Sequence, residues 1–131
     1  MNRMITFPTT KKKELVNITS KVGRIVNEAN IKEGLCLIFV PHATAAVLIN
    51  EDEPGFKADV EKLLDMWIPP GDWQHDKVDN NATAHLAASL IGQSRMIPVI
   101  NGDLQLGTWQ EIFLLELDGP RSNRRVVVQL I

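Results

Sequence analysis

GLCLIFVPHATAAVLIN, residues 34–50, contains two apolar runs separated by one short polar bend. Apolar runs of this length, bounded by glycine, proline or asparagine, are typical of buried β-strands. The segment therefore predicts two strands, GLCLIFVP and TAAVLIN, joined through the bend that carries His42. The first of the chain's three histidines is thus expected at a strand junction.

Three helices are predicted around these strands. Apolar residues recur at i, i+3, i+4 and i+7 from Val22 to Ala29, which predicts a helix capped by Thr19 and ended by Asn30 or Gly34. Pro54 suits the first turn of a second helix, where neighbouring carboxylates complement the helix dipole. Its apolar stripe is predicted to contain Phe56, Val60, Leu63, Leu64 and Trp67. NATAHLAASLIG predicts a third, closely packed helix that Gly92 ends.

The remaining segments predict further strands. RMITFPT is expected to form the first strand, and SRMIPVI, LQLGTWQEIFLLEL and RRVVVQLI are expected to form a C-terminal three-stranded meander. Asn101-Gly102 and Asp118-Gly119 supply turn residues between them. Pro98 implies an edge position or a bulge, because proline cannot donate to a strand ladder.

Composition limits the class of protein. The 131 residues fit one domain, 1–131, and a formal net charge of -2 gives no reason to expect nucleic-acid or acidic-membrane partners. No apolar run reaches the ~18–20 residues of a membrane span, and no leader peptide is recognisable. A single cysteine, Cys36, cannot form an internal disulfide, which fits a reducing cytoplasm.

All three histidines, His42, His75 and His85, fall in the polar, turn-rich middle third of the chain. Neutral imidazole is a common metal ligand, and three protein ligands with one open position describe many catalytic zinc sites. The spacing alone does not show that the rings converge, because His75 and His85 are ten positions apart. Unrelated surface or core histidines are the competing interpretation, and both stay open.

Other polar residues could serve such a site. Glu51, at the exit of a strand, is a candidate general base for a metal-bound water, although helix-dipole electrostatics also explains nearby acids. Asn81 and His85 are at i and i+4, so Asn81 could orient the imidazole or simply cap the helix. Trp109 and Gln110 could line a pocket, and a core tryptophan is the alternative for the former.

A guanidinium-rich turn follows Asp118-Gly119. DGPRSNRR supplies Arg121, Arg124 and Arg125, and a guanidinium fork matches phosphate or carboxylate. A solvated turn is the alternative. The chain lacks GxxxxGK[ST], GxGxxG, GxSxG and CxxC, so any phosphate site would use arginine and metal rather than a glycine-rich loop.

Four motifs in order, PHATAAVLINEDEP, DNNATAHLAASLIG, IPVINGDLQLGTWQEIFLLELDGPR and RRVVVQLI, closely resemble the YjbQ-like family, whose members carry the label secondary thiamine-phosphate synthase. The resemblance covers essentially the whole chain. It implies an α+β fold, an antiparallel barrel-like β-sandwich capped by helices, and assembly as a homotrimer.

The resemblance also implies a site and a reaction. The implied metal ligands are His42, His75 and His85, the implied catalytic residues are Glu51, Asp79 and Asn81, and the implied substrate-binding residues are Thr44, Trp109, Gln110 and Arg121. Ala43 replaces a threonine that the family often carries beside the first histidine. The implied reaction joins a pyrimidine-methyl diphosphate to a thiazole phosphate with loss of diphosphate.

More than one cofactor and more than one class of function are compatible with these residues. Three imidazoles favour zinc, whereas magnesium, which normally serves diphosphates, prefers oxygen ligands. The same residues would suit a zinc-dependent hydrolase of another small molecule. A non-enzymatic trimer that binds a ligand or a metal is the third hypothesis.

Overall fold

The computed structural model describes all 131 residues, which form eight strands, three α-helices and one short 3₁₀ helix, Gln74–Lys77. The strands are β1 Asn2–Phe7, β2 Glu14–Asn17, β3 Glu33–Phe39, β4 Ala45–Asn50, β5 Ser94–Ile100, β6 Asp103–Leu104, β7 Glu111–Glu116 and β8 Arg124–Leu130. The helices are α1 Thr19–Ala29, α2 Pro54–Trp67 and α3 Ala82–Ile91. None of the helices is long and apolar enough to cross a bilayer.

The strands form two antiparallel sheets that curl into a half-barrel. One sheet has five strands in the order β1-β8-β3-β5-β6, and the other has three in the order β2-β7-β4. With three helices packed around these sheets, the predicted α+β class and barrel-like sandwich are confirmed.

Residues 34–50 connect the two sheets. Their first run is β3, in the five-stranded sheet, and their second run is β4, in the three-stranded sheet, so residues 40–44 cross between them. Backbone hydrogen bonds from Val40 N to Gln93 O and from Val47 N to Gly92 O tie this crossing to the end of α3. The predicted position of His42 at a strand junction is confirmed.

Two apolar cores lie on the two faces of the smaller sheet. The larger core combines inward residues of both sheets with one face of α1, including Cys36, Ile38 and Val47. The smaller core lies on the other face, where Leu64 of α2 and small residues of α3 such as Ala88 pack against β4 and β7. Because α3 presents alanine to the sheet, its backbone lies close to β4, which fixes the histidine-bearing end of that helix.

The predicted C-terminal meander is wrong. β5 pairs with β3 and β6, β7 pairs with β2 and β4, and β8 pairs with β1 and β3, so the three strands are divided between the sheets. Each of the three strands pairs with at least one strand from the N-terminal half of the chain, which brings together segments far apart in sequence. Pro98 lies on β5 beyond the pairing of Val99 and Ile100 with β6, as expected for a position near an edge.

Two helix predictions also need correction, and one strand was not predicted. Ile18, not Thr19, is at the N-cap of α1, and the Thr19 hydroxyl instead accepts a hydrogen bond from Ile112 N. In the α2 stripe, Leu64 is buried but Leu63 and Trp67 are more than half exposed, so the face of α2 that packs on the sheet is narrower than predicted. The short strand β2 directly follows three lysines, and its four residues are too few to show a strand pattern beside them.

Candidate functional site

A chain of hydrogen bonds links one histidine to a carboxylate at the end of β7. His75, in the 3₁₀ helix, places Nε2 2.9 Å from Asn81 Oδ1, and Asn81 Nδ2 donates to Asp118 Oδ2 at 2.9 Å. Because the carboxylate can only accept, the amide orientation is fixed and its oxygen accepts from His75 Nε2–H. In the neutral tautomer that makes this contact, the lone pair is on Nδ1.

His75 and His85 lie side by side. Their ring centroids are 4.3 Å apart with the planes tilted by 59°. The 3₁₀ helix brings His75 over the first turn of α3, where His85 projects. Asn81 forms no side-chain cap bond. Its i,i+4 spacing to His85 predicts a contact with that histidine, but its side chain bonds to His75 instead. Its amide is 9% exposed, so the contact is shielded from competing water.

Asp118 also fixes Arg121. Arg121 Nε donates to the Asp118 carbonyl at 2.9 Å, and Nη2 donates to the Asp118 carboxylate at 3.0 Å. One carboxylate therefore orients a histidine through Asn81 and a guanidinium directly. In the sequence Asp118 is recognisable only as half of a turn pair, and nothing in the local pattern marks it as the centre of this network.

A buried ion pair supports the same end of the sandwich. Glu116 is 0% exposed and Arg124 is 4% exposed. Arg124 Nε donates to Glu116 Oε1 at 2.9 Å, while Nη2 also donates to the carbonyl and hydroxyl of Thr44 at 3.1 and 3.0 Å. Thr9 Oγ1 donates to Glu116 Oε1 at 2.6 Å. Thr44, predicted to bind substrate, is thus part of a buried bracing cluster.

The pKa of Glu116 reflects this environment. Burial alone would raise the pKa, but hydrogen bonds from Arg124, Thr9 and the Asp118 N–H outweigh it and hold the pKa below its ordinary value. The carboxylate is therefore ionised at neutral pH, and Arg124 has a permanent partner. The sequence identifies Arg124 only as one of three arginines that could match phosphate and gives no sign of Glu116, because a buried pair leaves no pattern in the linear sequence.

His42 lies in the crossing between the sheets, close to the arginine-rich turn. Its Nε2 accepts a hydrogen bond from Arg125 N at 2.9 Å. Burial, followed by the positive charges of Arg124, Arg125 and Arg121, lowers the pKa of His42. Together with Arg121, Ser122, Asn123 and Arg124, this histidine lines a cavity of about 190 Å³.

Three of the other predicted residues lie elsewhere, and Asp79 lies near the histidines without bonding to their rings. Glu51 follows the far end of β4, and Trp109 and Gln110 precede β7 at that same end, where Asn50 pairs with Glu111. At ~3.3 Å per residue, β4 separates them from Thr44 by roughly 20 Å. Trp109 is 72% exposed rather than a core residue. Asp79 bonds its own turn, at Asn80 N, and contacts neither histidine ring through a hydrogen bond.

The structure therefore divides the predicted residues between two ends of the smaller sheet. Glu51, Trp109 and Gln110 lie at one end, and the residues at the other are His42, Thr44, His75, Asp79, Asn81, His85 and Arg121. No three His, Cys, Asp or Glu side chains of the chain are grouped as a metal site. A three-histidine shell does not fit the arrangement within one chain, whereas His75 and His85 could supply two ligands.

Comparison with known proteins gives consistent results. A family model described as "UPF0047 protein YjbQ-like" matches residues 3–131. A UPF0047 protein of Archaeoglobus fulgidus is 44% identical over 128 residues, covering 97% of this chain and 98% of that protein. The UPF0047 protein YugU of Bacillus subtilis is 38% identical, covering 93% of each chain.

The solved structures agree in fold. A YbjQ-like protein of unknown function from Sulfolobus solfataricus superposes with a TM-score of 0.97 at 45% identity, covering 99% of this chain and 95% of that one. A hypothetical protein from Aeropyrum pernix superposes with a TM-score of 0.96 at 39% identity, covering 100% and 98%. Likeness of this extent covers both sheets, all three helices and the histidine-bearing end.

Proposed function

Because the chain belongs to the YjbQ-like UPF0047 family, we propose that it is a small-molecule enzyme with thiamine-phosphate-synthase-like activity. Such an enzyme joins a pyrimidine-methyl diphosphate to a thiazole phosphate and releases diphosphate. The observation that carries the proposal is the sharing of Asp118 between Arg121 and the Asn81–His75 pair. That arrangement holds a phosphate-complementary guanidinium and an imidazole in one network.

The chemistry suits these groups. Departure of diphosphate places negative charge on the leaving oxygen, and a preorganised cation stabilises that charge. Asp118 holds Arg121 through Nε and Nη2, so the guanidinium does not have to reorganise as the charge develops. His75, with its lone pair on Nδ1, is a candidate proton acceptor, and Asn81 is its positioning residue.

Replacing Arg121 with glutamine tests the proposal. We expect product formation from the two phosphorylated substrates to fall by about 100- to 1,000-fold, the usual cost of removing one preorganised donor to developing charge. The matched control is Arg24→Gln, at an exposed position of α1. Product formation that is equal in both variants, or absent in the unaltered protein, would refute the proposal.

A metal-dependent hydrolase is the second candidate, and the His75–His85 contact favours it. Two imidazoles with centroids 4.3 Å apart are a reasonable start of a zinc site. When bound, zinc would supply a Lewis acid and a more acidic water, and magnesium is the alternative where diphosphate provides the oxygen ligands. Stoichiometric zinc that is lost in His75→Ala and His85→Ala would favour this candidate over the first.

We propose further that the protein assembles as a homotrimer through the outer face of the five-stranded sheet. Cross-strand register places apolar side chains together on that face, where no helix covers them. The exposed members, between 39% and 53% accessible, are Met4, Leu35, Phe39, Met96 and Ile100. A contiguous apolar surface of this kind is usual at subunit interfaces. Glu51, Trp109 and Gln110 would reach the histidine end only from a neighbouring copy.

A charge placed on this face tests the assembly. Phe39→Lys is expected to convert trimers to monomers, because a lysine ammonium at the centre of an apolar interface loses its hydration without gaining a partner. Light scattering after size-exclusion chromatography measures the mass. Val78→Lys, at a position that is 84% exposed in a loop, is the control and is expected to stay trimeric. Monomeric unaltered protein, or a trimeric Phe39→Lys variant, would contradict the assignment.

We also propose a reducing, cytoplasmic location. Cys36 is a free, fully buried thiol, and burial raises its pKa to about 11. The thiol therefore stays protonated and packs as a small apolar group. A chain that uses its only cysteine in this way gains nothing from an oxidising compartment, and localisation of a tagged protein by fractionation tests the assignment.

A further inference from the structure

We propose that the cavity lined by His42, Arg121, Ser122, Asn123 and Arg124 is a phosphoryl-binding pocket in which His42 acts as a hydrogen-bond donor and not as a metal ligand. The inference deepens the proposed function, since it assumes a phosphorylated ligand and assigns the place where its phosphoryl group binds. It also separates His42 from the other two histidines, with which the sequence had grouped it.

The tautomer of His42 follows from its backbone contact. Arg125 N can only donate, so the 2.9 Å contact requires His42 Nε2 to accept with its lone pair. A doubly protonated ring could not accept there, so the imidazole is neutral and its proton is on Nδ1. Both ring nitrogens are then committed, one as acceptor and one as donor. A metal ion needs a free imidazole lone pair, and His42 has none.

The cavity offers hydrogen-bond donors that the chain does not use. Arg124 is 4% exposed and lines the cavity, yet its Nη1 forms no hydrogen bond within the chain, since Nε and Nη2 take all its contacts to Glu116 and Thr44. Arg121 likewise bonds through Nε and Nη2 and leaves Nη1 free. The backbone N–H groups of Ser122 and Asn123 also have no backbone partner.

The chemistry of the lining selects the ligand. All five residues are polar, none is acidic, and the volume of about 190 Å³ admits one phosphoryl group with its bridging atoms. Two guanidiniums beside a neutral donor favour an anion. Donors that converge from several directions can all bond to a tetrahedral oxyanion, whereas a planar carboxylate would leave some of them without a partner. A metal cation is disfavoured, because the lining provides donors where a cation requires acceptors.

Two substitutions of His42 separate donor from acceptor. In His42→Asn, the amide nitrogen lies near the position of Nδ1 and can still donate into the cavity. In His42→Gln, the longer side chain reaches the region of Nε2, where its oxygen can accept from Arg125 N but the donor to the cavity is lost. We expect calorimetric titration with inorganic pyrophosphate to show an affinity within about 3-fold of the unaltered protein for the first variant. His42→Gln should bind pyrophosphate about 10- to 100-fold more weakly, because that is the usual effect of losing one charge-assisted hydrogen bond.

Nuclear magnetic resonance of the histidine side chains supplies an independent measurement. The ¹⁵N pattern of His42 is expected to be that of the Nδ1–H tautomer, and pyrophosphate should shift it. Zinc should perturb His75 and His85 but leave His42 unchanged. If either His42 variant fails to fold by circular dichroism, Arg121→Gln provides the same titration with a donor removed from the other side of the cavity.

The outcomes are distinct. An Nε2–H tautomer, zinc binding to His42, or equal pyrophosphate affinity in the glutamine variant and the unaltered protein would overturn the assignment. Citrate binding as tightly as pyrophosphate would overturn the phosphoryl preference. Pyrophosphate binding with the expected pattern, in a protein that forms no thiamine phosphate, would uphold this pocket and refute the synthase activity.

Discussion

Replacing Arg124 with alanine is expected to lower the free energy of unfolding by about 3–5 kcal/mol, the range found when one partner of a buried ion pair is removed. The variant leaves the Glu116 carboxylate, which is 0% exposed, without its guanidinium partner. It also removes the two hydrogen bonds that fix Thr44 at the start of β4. Urea unfolding at a fixed protein concentration measures the difference.

The neighbouring residue provides the control. Arg125 is exposed, and its side chain forms no hydrogen bond, so Arg125→Ala should change the free energy of unfolding by less than about 0.5 kcal/mol. A double variant, Arg124→Met with Glu116→Leu, should recover much of the loss, because it removes both charges together. A loss below ~1 kcal/mol for Arg124→Ala would show that the pair does not brace the site.

The pH dependence of that variant has a definite sign. In the unaltered protein the pKa of Glu116 is lowered on folding, so its contribution to stability is present above the unfolded pKa and is lost as pH falls through the folded one. Without Arg124, burial is left to raise the pKa of the carboxyl. The deficit of Arg124→Ala is therefore expected to shrink as the buffer becomes acidic, because protonation removes the unpaired charge.

Phe113→Ala is expected to cost a comparable 3–5 kcal/mol, the usual range for truncating a buried aromatic side chain. Phe113 is the largest fully buried side chain and lies on β7 between β2 and β4. Truncation would leave a cavity beside β7, in the three-stranded sheet that separates the two cores. The free energy of unfolding, measured by urea denaturation at fixed protein concentration, gives the result.

Trp109→Ala, four residues earlier, is the matched control for this prediction. Its indole is 72% exposed, so the variant should lie within about 0.5 kcal/mol of the unaltered protein. If Trp109→Ala were the more destabilising of the two, the position of the 107–110 turn outside the core would be wrong.

The sequence predicted elements whose signals are local. β3, β4 and α3 follow from apolar runs, helical spacing and terminal glycine or proline, because these patterns act over a few residues. The division of β5, β7 and β8 between two sheets could not be predicted in this way. Strand partners are chosen by burial across the whole sandwich, and the turn pairs Asn101-Gly102 and Asp118-Gly119 are equally compatible with either arrangement.

The residues of the candidate site could be predicted only in part, for the same reason. The histidines and Arg121 stand out by residue type, so chemistry alone identifies them. Asp118, Glu116 and Arg124 act through contacts between residues far apart in sequence, such as Thr9 with Glu116, and no spacing reveals these. Within one chain the three histidines are not grouped, and His42 Nε2 instead accepts a hydrogen bond from a backbone N–H, a contact that only the fold provides.

Pyrophosphate binding to the histidine-bearing end can be mapped directly by ¹H–¹⁵N nuclear magnetic resonance. We expect saturable shifts concentrated in residues 121–125, together with the side chains of His42 and Arg121 and a smaller change at His75. Shifts confined to Glu51 and residues 107–111, or none at all, would contradict the assignment of a phosphoryl site at the histidine-bearing end of the sandwich.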